Sequence, residues 1–204
     1  WRAINARLRA LGVPLKRVHS IVVTHSHPDH FGGAARLRAA TGADIITHQS
    51  FRLWFDPNEP DDVDVEIAAR HKRGTGETPW GGPGYQLPLR RKMYYNAFRV
   101  LPQLFKVPQP TVRLAEGEYI SLARRKWMAI HTPGHTEDHL CLFDADTGVM
   151  LCGDHVLPTI TPHISGMSKY PDPLEGFFNS LDKVGAFGSQ VGICLPAHGK
   201  PFAD

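Results

Sequence analysis

Histidine and aspartate side chains gather wherever one of four predicted strands ends, and this pattern constrains the fold of the 204-residue chain more than any other. Each strand is a short apolar run, typical of a buried strand. Ligands of layered α/β proteins bind at the carboxyl ends of strands, so we expect the four groups to meet. The strands and the segments that follow them are Ile21–Thr24 with 25–30, Trp127–Ile130 with 131–135, Val149–Cys152 with 153–154, and Val191–Leu195 with 196–199.

The residue types in these segments are those of a metal site. Imidazole and carboxylate ligands suit zinc, and also iron, manganese and nickel. His25 and His27 are two residues apart on an extended segment and can face one ion, whereas Asp29 and His30 begin the next turn and can face a second. Asp154 is the candidate bridge between the ions, each of which keeps an open position for water. The predicted ligands are His25, His27, Asp29, His30, His135, Asp154 and His198.

This ordered set of ligands resembles the metallo-β-lactamase superfamily, and the resemblance covers most of the chain outside its middle segment. It implies an α+β fold, a four-layer αββα sandwich with the site along one edge of its two sheets. It also implies that Asp154 is shared between the ions. The implied ligands are His25, His27 and His135 for the first ion, and Asp29, His30 and His198 for the second.

The chain departs from the family pattern at its ends and beside His135. Family members usually begin with strands ahead of the first helix and often continue with helices after the last ligand. We therefore expect the N-terminal strands and C-terminal helices to lie outside this sequence. Glu137 and Asp138 stand where thioesterase-like relatives often carry small residues, which weakens a specific assignment to glyoxalase II.

The remaining patterns predict further helices and strands. Apolar spacing predicts an N-terminal helix that stops at Gly12 and a second helix over Gly32–Ala40. Asp172 and Pro173 fit the N-cap and the first position of another helix. The other predicted strands are Ile45–Thr47, Thr111–Leu114, Tyr119–Leu122 and His139–Phe143.

The middle of the chain differs from the rest in its richness in proline, glycine and aromatic residues. We predict one domain over 1–204 with a largely helical or irregular insertion at 51–110, including helices near Asp64–Lys72 and Leu89–Val100. Long irregular segments often serve as a lid or a substrate wall. A structural subdomain that packs on the core is the alternative.

Composition excludes several classes of protein. A formal net charge of +3 is too small to indicate a nucleic-acid surface. No apolar run approaches the roughly 18 residues of a membrane span. Cys141, Cys152 and Cys194 lie in apolar stretches and are predicted to be buried reduced thiols. No signal peptide is visible, and reduced thiols are typical of the cytoplasm, so a cytoplasmic location is expected. The expected partner is a small-molecule substrate, and the oligomeric state stays open.

The predicted function is hydrolysis of an ester, thioester or lactone by a hydroxide that two metal ions, zinc above all, activate. Asp29 is a candidate to orient this nucleophile, and His163 to contact the substrate or stabilise an oxyanion. The alternatives are a β-lactamase-like or phosphodiesterase hydrolase, a persulfide dioxygenase with a single iron, and a metal-binding module without catalysis.

Other histidines and tyrosines have weaker assignments. His131 and His139 flank a ligand segment and are candidates either to orient ligands or to be ordinary hydrogen-bonded loop residues. The further candidates for the site or its rim are His48, His155, Tyr85 and Tyr170, whereas His19 and His71 are predicted at the surface.

Overall fold

The computed structural model describes residues 1–53, 107–164 and 172–203, together with positions 89, 90, 93 and 97. The chain divides into two compact units, one formed by Trp1–Phe51 with Pro108–Asp204 and the other by Arg52–Val107. All seven predicted metal ligands belong to the first unit. The role of 51–110 as a lid or substrate wall stays a prediction, and the predicted helix at Asp64–Lys72 lies outside the described residues. Of the predicted helix at Leu89–Val100, the four described positions are helical.

Four α-helices are described in the first unit, and they match the predicted ones closely except for α2. The sequence indicated only a polar turn there, but Pro28 starts a single helical turn directly after the extended residue His27. This turn carries Asp29 and His30. The helices are α1 (Arg2–Ala10), α2 (Pro28–Phe31), α3 (Ala34–Thr41) and α4 (Pro173–Gly185), with 3-10 turns at Leu15–Arg17 and Gly188–Gln190.

The described strands form two sheets, as the predicted sandwich requires. The first sheet is parallel in the order β1-β2-β3, and the second has the order β4-β5-β6-β7-β8, antiparallel except for the parallel pair β7–β8. All eight strands correspond to predicted runs. They are β1 (Ser20–Val22), β2 (Asp44–His48), β3 (Val112–Leu114), β4 (Tyr119–Leu122), β5 (Arg125–His131), β6 (Leu140–Asp144), β7 (Val149–Gly153) and β8 (Ile193–Pro196).

The middle of the second sheet is buried on both faces, which explains the apolar sequence of β6. Successive side chains of a strand point to opposite faces, so Leu140 and Leu142 on β6 face the first sheet while Cys141 and Phe143 face α4. The core between the sheets contains Ile46, Leu114, Trp127, Ala129, Leu140 and Leu142. The core beneath α4 contains Ile130, Cys141, Phe143, Met150 and Cys152, packed against Val184 and Phe187.

Two further expectations concern thiols and membranes. The three cysteines are free, with Cys141 and Cys152 buried and Cys194 partly buried. None of the described helices combines the length and the apolarity that crossing a bilayer demands.

Candidate metal centre

The seven predicted ligand side chains converge at one edge of the two sheets. They form two groups, and within each group the potential ligand atoms lie within 4.8 Å of one another. One group is half-buried to buried and the other partly exposed. The first contains His25, His27, His135 and Asp154, and the second contains Asp29, His30 and His198.

The carboxylate of Asp154 lies at the centre of this arrangement and joins the two groups. Its Oδ2 atom is 3.9 Å from Nε2 of His25 and 3.5 Å from Nε2 of His135. The same oxygen is 3.3 Å from Nε2 of His30 and 3.5 Å from Nε2 of His198. One carboxylate oxygen therefore faces imidazoles of both groups.

These separations fit divalent metal ions. Zinc holds tetrahedral nitrogen ligands at about 2.0–2.1 Å, which places neighbouring ligand atoms about 3.3 Å apart. His25 Nε2 and His27 Nδ1 are 3.1 Å apart, and Asp29 Oδ2 is 3.5 Å from Nε2 of both His30 and His198. Within the described part of the chain, His135 Nε2 and Asp154 Oδ1 are buried without a hydrogen-bond partner. Buried polar atoms are rarely left so, and a cation would satisfy both.

The segment that carries His25 follows β1 and is hydrogen-bonded to the second sheet. The backbone N–H of Leu140 donates to the carbonyl of Thr24, 2.8 Å away. The Thr24 hydroxyl lies 3.0 Å from Nδ1 of His25, which leaves Nε2 of that ring to face Asp154. Side-chain and backbone contacts thus orient His25 from behind.

The predicted ligand His135 is oriented by a residue that lies far away in the sequence. Its Nδ1–H donates to the carbonyl of His163 at 2.7 Å, so Nε2 carries the lone pair that can bind a metal. The preceding Gly134 has φ +139°, and a Cβ there would lie 2.5 Å from the Cα of Phe177 on α4. Only glycine allows the loop to approach the helix this closely.

Asp154 and His198 follow the ends of two neighbouring strands, β7 and β8. Strands β7 and β8 pair in parallel, and the N–H of Ala197 donates to the carbonyl of Gly153 at 2.9 Å. This bond keeps the two strands together up to the residues next to both ligands.

Electrostatics favours the protonation states that bind metal. Burial lowers the pKa of His25, and the imidazoles of His139 and His30 lower it further. Burial also lowers the pKa of His27 to about 4, as it lowers that of His135. Burial acts to raise the pKa of Asp154, but the surrounding imidazoles outweigh this effect and hold its pKa below the ordinary value. Neutral imidazoles around an ionised carboxylate are the forms that metals require.

The other candidate residues fall in different places. The His163 side chain is exposed. Its backbone carbonyl accepts the hydrogen bond from His135, a contact that the sequence did not indicate. His155 is buried against Phe177, with ring centroids 4.9 Å apart.

His48 and His131 stack on each other, with ring centroids 3.8 Å apart. His131 Nε2–H donates to the carbonyl of Glu137 at 2.7 Å, which ties β5 to the segment that follows His135. His19 is exposed, as predicted. Tyr85, Tyr170 and His71 lie outside the described residues.

The family profile described as the metallo-beta-lactamase superfamily matches residues 1–198. The chain belongs to the metallo-beta-lactamase superfamily. The architecture agrees, since a metallo-beta-lactamase family protein of Thermus thermophilus superposes with a TM-score of 0.74 at 24% identity, over 99% of this chain and 62% of that one. The predicted family and its αββα sandwich are thereby confirmed.

Two relatives of this chain are named for their activities. A hydroxyacylglutathione hydrolase of Albidiferax ferrireducens is 27% identical over 150 residues, which are 72% of this chain and 36% of the relative. An atrochrysone carboxyl ACP thioesterase of Passalora fulva is 28% identical over 185 residues, which are 89% of this chain and 38% of the relative. The chain therefore spans little more than a third of the length of these curated relatives.

Proposed function

We propose that this chain carries the metal centre of a metal-dependent hydrolase with two divalent ions. The observation that carries the proposal is the single oxygen of Asp154 within 3.9 Å of imidazole nitrogens from both ligand groups. A carboxylate in such a position can bridge two cations. The proposed ligands are His25, His27 and His135 for one ion, Asp29, His30 and His198 for the other, and Asp154 for both.

Zinc is the proposed metal because imidazole and carboxylate ligands suit it and the separations suit its short bonds, and iron or manganese is the alternative for the same donor set. When bound, two divalent cations polarise a substrate oxygen and lower the pKa of a coordinated water from about 15.7 towards about 7. The protein's share is to hold the ligand atoms in place and, by burying His25, His27 and His135, to disfavour the protonated form of these imidazoles.

Two side chains are proposed to act on the reacting groups. Asp29 is the most exposed carboxylate of the centre, with 63% of its side chain accessible, so it can orient a nucleophile from the open side. The exposed imidazole of His163 belongs to the residue whose carbonyl holds His135, and it is proposed to contact the substrate.

The proposed substrate is an ester, thioester or lactone of a small molecule. Support comes from the relatives, one of which is a thioesterase and the other a hydrolase of a hydroxyacylglutathione. The insertion at 51–110 is proposed as the wall or lid for the acyl group.

A substrate panel with matched variants tests the proposed activity. Full-length protein is assayed on a thioester, a lactone, a β-lactam and a phosphodiester, before and after chelation. We expect chelator-sensitive turnover of the thioester or the lactone, a loss of at least 100-fold in His135→Ala, and little change in His19→Ala, which removes an exposed histidine. Turnover that survives complete chelation would contradict a metal mechanism, and turnover of the phosphodiester alone would contradict the substrate class.

A further inference from the structure

His139 is a buried histidine that the metal centre does not use as a ligand. It immediately precedes β6 and has no exposed surface. Its ring centroid lies 5.1 Å from that of His25 and 6.2 Å from that of His135. The ring therefore lies directly beneath the proposed ligands, on the side of the protein interior.

Both ring nitrogens of His139 are engaged by the protein. The backbone N–H of Asp154 donates to Nε2 at 3.0 Å, so Nε2 must be unprotonated. Nδ1 then carries the proton and donates to the Thr132 hydroxyl at 2.6 Å. The Thr132 hydroxyl lies 3.4 Å from the carbonyl of His139 and can donate to it in turn. This chain of bonds leaves one tautomer and no nitrogen free for a metal.

The His139 ring also fills the space beside the end of β7. Gly153 has φ +52°, and a Cβ at this position would lie 2.5 Å from Nε2 of His139. The ring thus contacts the peptide that links Gly153 to Asp154 by packing as well as by the hydrogen bond. Any shift of the ring would move the backbone from which the bridging carboxylate extends.

We infer that His139 is a positioning residue. It sets the direction of the Asp154 carboxylate by accepting a hydrogen bond from the backbone N–H of Asp154. The inference rests on the proposed function, because it concerns the oxygen proposed to bridge the two ions. Four imidazole nitrogens lie 3.3 to 3.9 Å from this oxygen, so a small rotation of the 153–154 peptide separates it from some of them.

Two amide variants separate the two bonds of His139. In His139→Gln the side-chain oxygen reaches the position of Nε2 and can accept the Asp154 N–H. In His139→Asn the amide N–H reaches the position of Nδ1 and can donate to Thr132, but Asp154 loses its acceptor. Both variants introduce a polar amide of similar character, so they differ mainly in which bond is kept.

The readout is Co²⁺ binding by metal-free full-length protein, followed by the visible absorption of the bound ion, with thermal unfolding of the metal-free form measured in parallel. We expect His139→Asn to bind Co²⁺ about 10–100-fold more weakly, with a changed spectrum, because partners that orient ligands contribute that much to metal affinity. His139→Gln is expected to restore most of the affinity and the wild-type spectrum.

A second pair of variants tests the same inference without altering the ring. Gly153→Ala pushes a methyl group against the His139 ring and to within 3.2 Å of Thr24 Cβ, whereas Gly117→Ala has a similar positive φ of +75° with open space around the added carbon. We expect only Gly153→Ala to weaken Co²⁺ binding.

Several results would overturn the inference. Wild-type Co²⁺ affinity and spectrum in His139→Asn would do so, as would an equal loss in the Asn and Gln variants or equal effects of the two glycine variants. In each of these cases the wild-type protein still binds Co²⁺ and the proposed function stands. A wild-type protein that binds no Co²⁺ would overturn the proposed function and this inference together.

Discussion

At the scale of single residues, contacts decide whether a buried carboxylate keeps its negative charge. The Asp154 carboxylate is almost fully buried and faces four imidazoles, which hold its pKa below the ordinary value against the effect of burial. Asp138 is buried too, but the groups that act to lower its pKa are the hydroxyls of Thr136 and Ser26 and its own backbone N–H, and Ser26 donates to Oδ1 at 3.1 Å. Burial therefore dominates at Asp138 and raises its pKa to about 7, with Glu137 adding to the effect.

The raised pKa of Asp138 predicts how the stability of the metal-free protein depends on pH. Between about pH 4 and pH 7 the folded protein keeps a proton that the unfolded chain has lost, so the free energy of unfolding falls as pH rises through this window. The loss is complete above about pH 7. Asn at this position keeps the shape and the Ser26 contact without the charge.

Denaturant unfolding of metal-free wild type and Asp138→Asn at pH 5 and pH 8 measures this effect. We expect the variant to gain roughly 2–3 kcal/mol relative to wild type between these pH values, since each pKa unit corresponds to about 1.4 kcal/mol. Parallel stability curves for the two proteins would show that Asp138 ionises normally in the fold.

The residues of the candidate metal centre could be picked out from sequence, whereas the contacts that orient them could not. Residue type and apolar strand patterns are both local features of the sequence. The four segments from 25–30 to 196–199 could therefore be recognised as candidate ligand segments. The partner of His135 is a backbone carbonyl 28 residues away, and any residue type could supply it. His139 could be predicted only as a flanking candidate, because its contact with the Asp154 N–H depends on how β6 and β7 pair.

At the scale of elements, α4 holds the loop before His135 against the second sheet. Ser180 on α4 donates to the carbonyl of Pro133, at 2.8 Å, and the helix backbone at Phe177 contacts Gly134. The N-terminus of the helix is capped, because the Asp172 carboxylate accepts hydrogen bonds from the backbone N–H groups of Leu174 and Glu175. A displaced α4 would therefore release the His135 loop.

Substituting Gly134 by Ala tests this contact. The added carbon would lie 2.5 Å from Phe177 Cα, so we expect a loss of about 1–3 kcal/mol from overpacking, in addition to about 1–3 kcal/mol of backbone strain at a φ of +139°. Gly42→Ala is the control, because Gly42 has φ +74° and no heavy atom within 4 Å of the added carbon. Unfolding free energies measure both, and equal losses would mean that α4 moves aside without cost.

The short helix α2 shows why a single helical turn could not be predicted from the sequence. Four residues carry too little periodicity to indicate a helix, and the turn forms because Pro28 follows the extended residue His27. The eight strands were predictable because each contains a short run rich in apolar or β-branched residues.

At the scale of the whole molecule, the proposed ligands connect the two sheets. The first ligand segment leaves β1 in one sheet, whereas His135, Asp154 and His198 follow strands of the other. Metal bound to this set stabilises the folded protein only, by about 2.7 kcal/mol when its concentration is about 100 times the Kd.

Chelation should therefore lower the thermal stability of the protein. For a domain of this size about 1 kcal/mol shifts the Tm by about 2–4 °C, so we expect chelation to lower the Tm by about 5–10 °C. Calorimetry with and without chelator measures the shift, and His135→Ala should show a smaller one. A Tm that chelation leaves unchanged would argue against metal joining the sheets.

The most direct test of the two-metal centre is elemental analysis of full-length protein purified without added metal. The arrangement around Asp154 predicts two equivalents of zinc per chain, both removed by chelation. One equivalent of iron, which a persulfide dioxygenase would hold, or no bound metal at all would contradict the two-metal hydrolase.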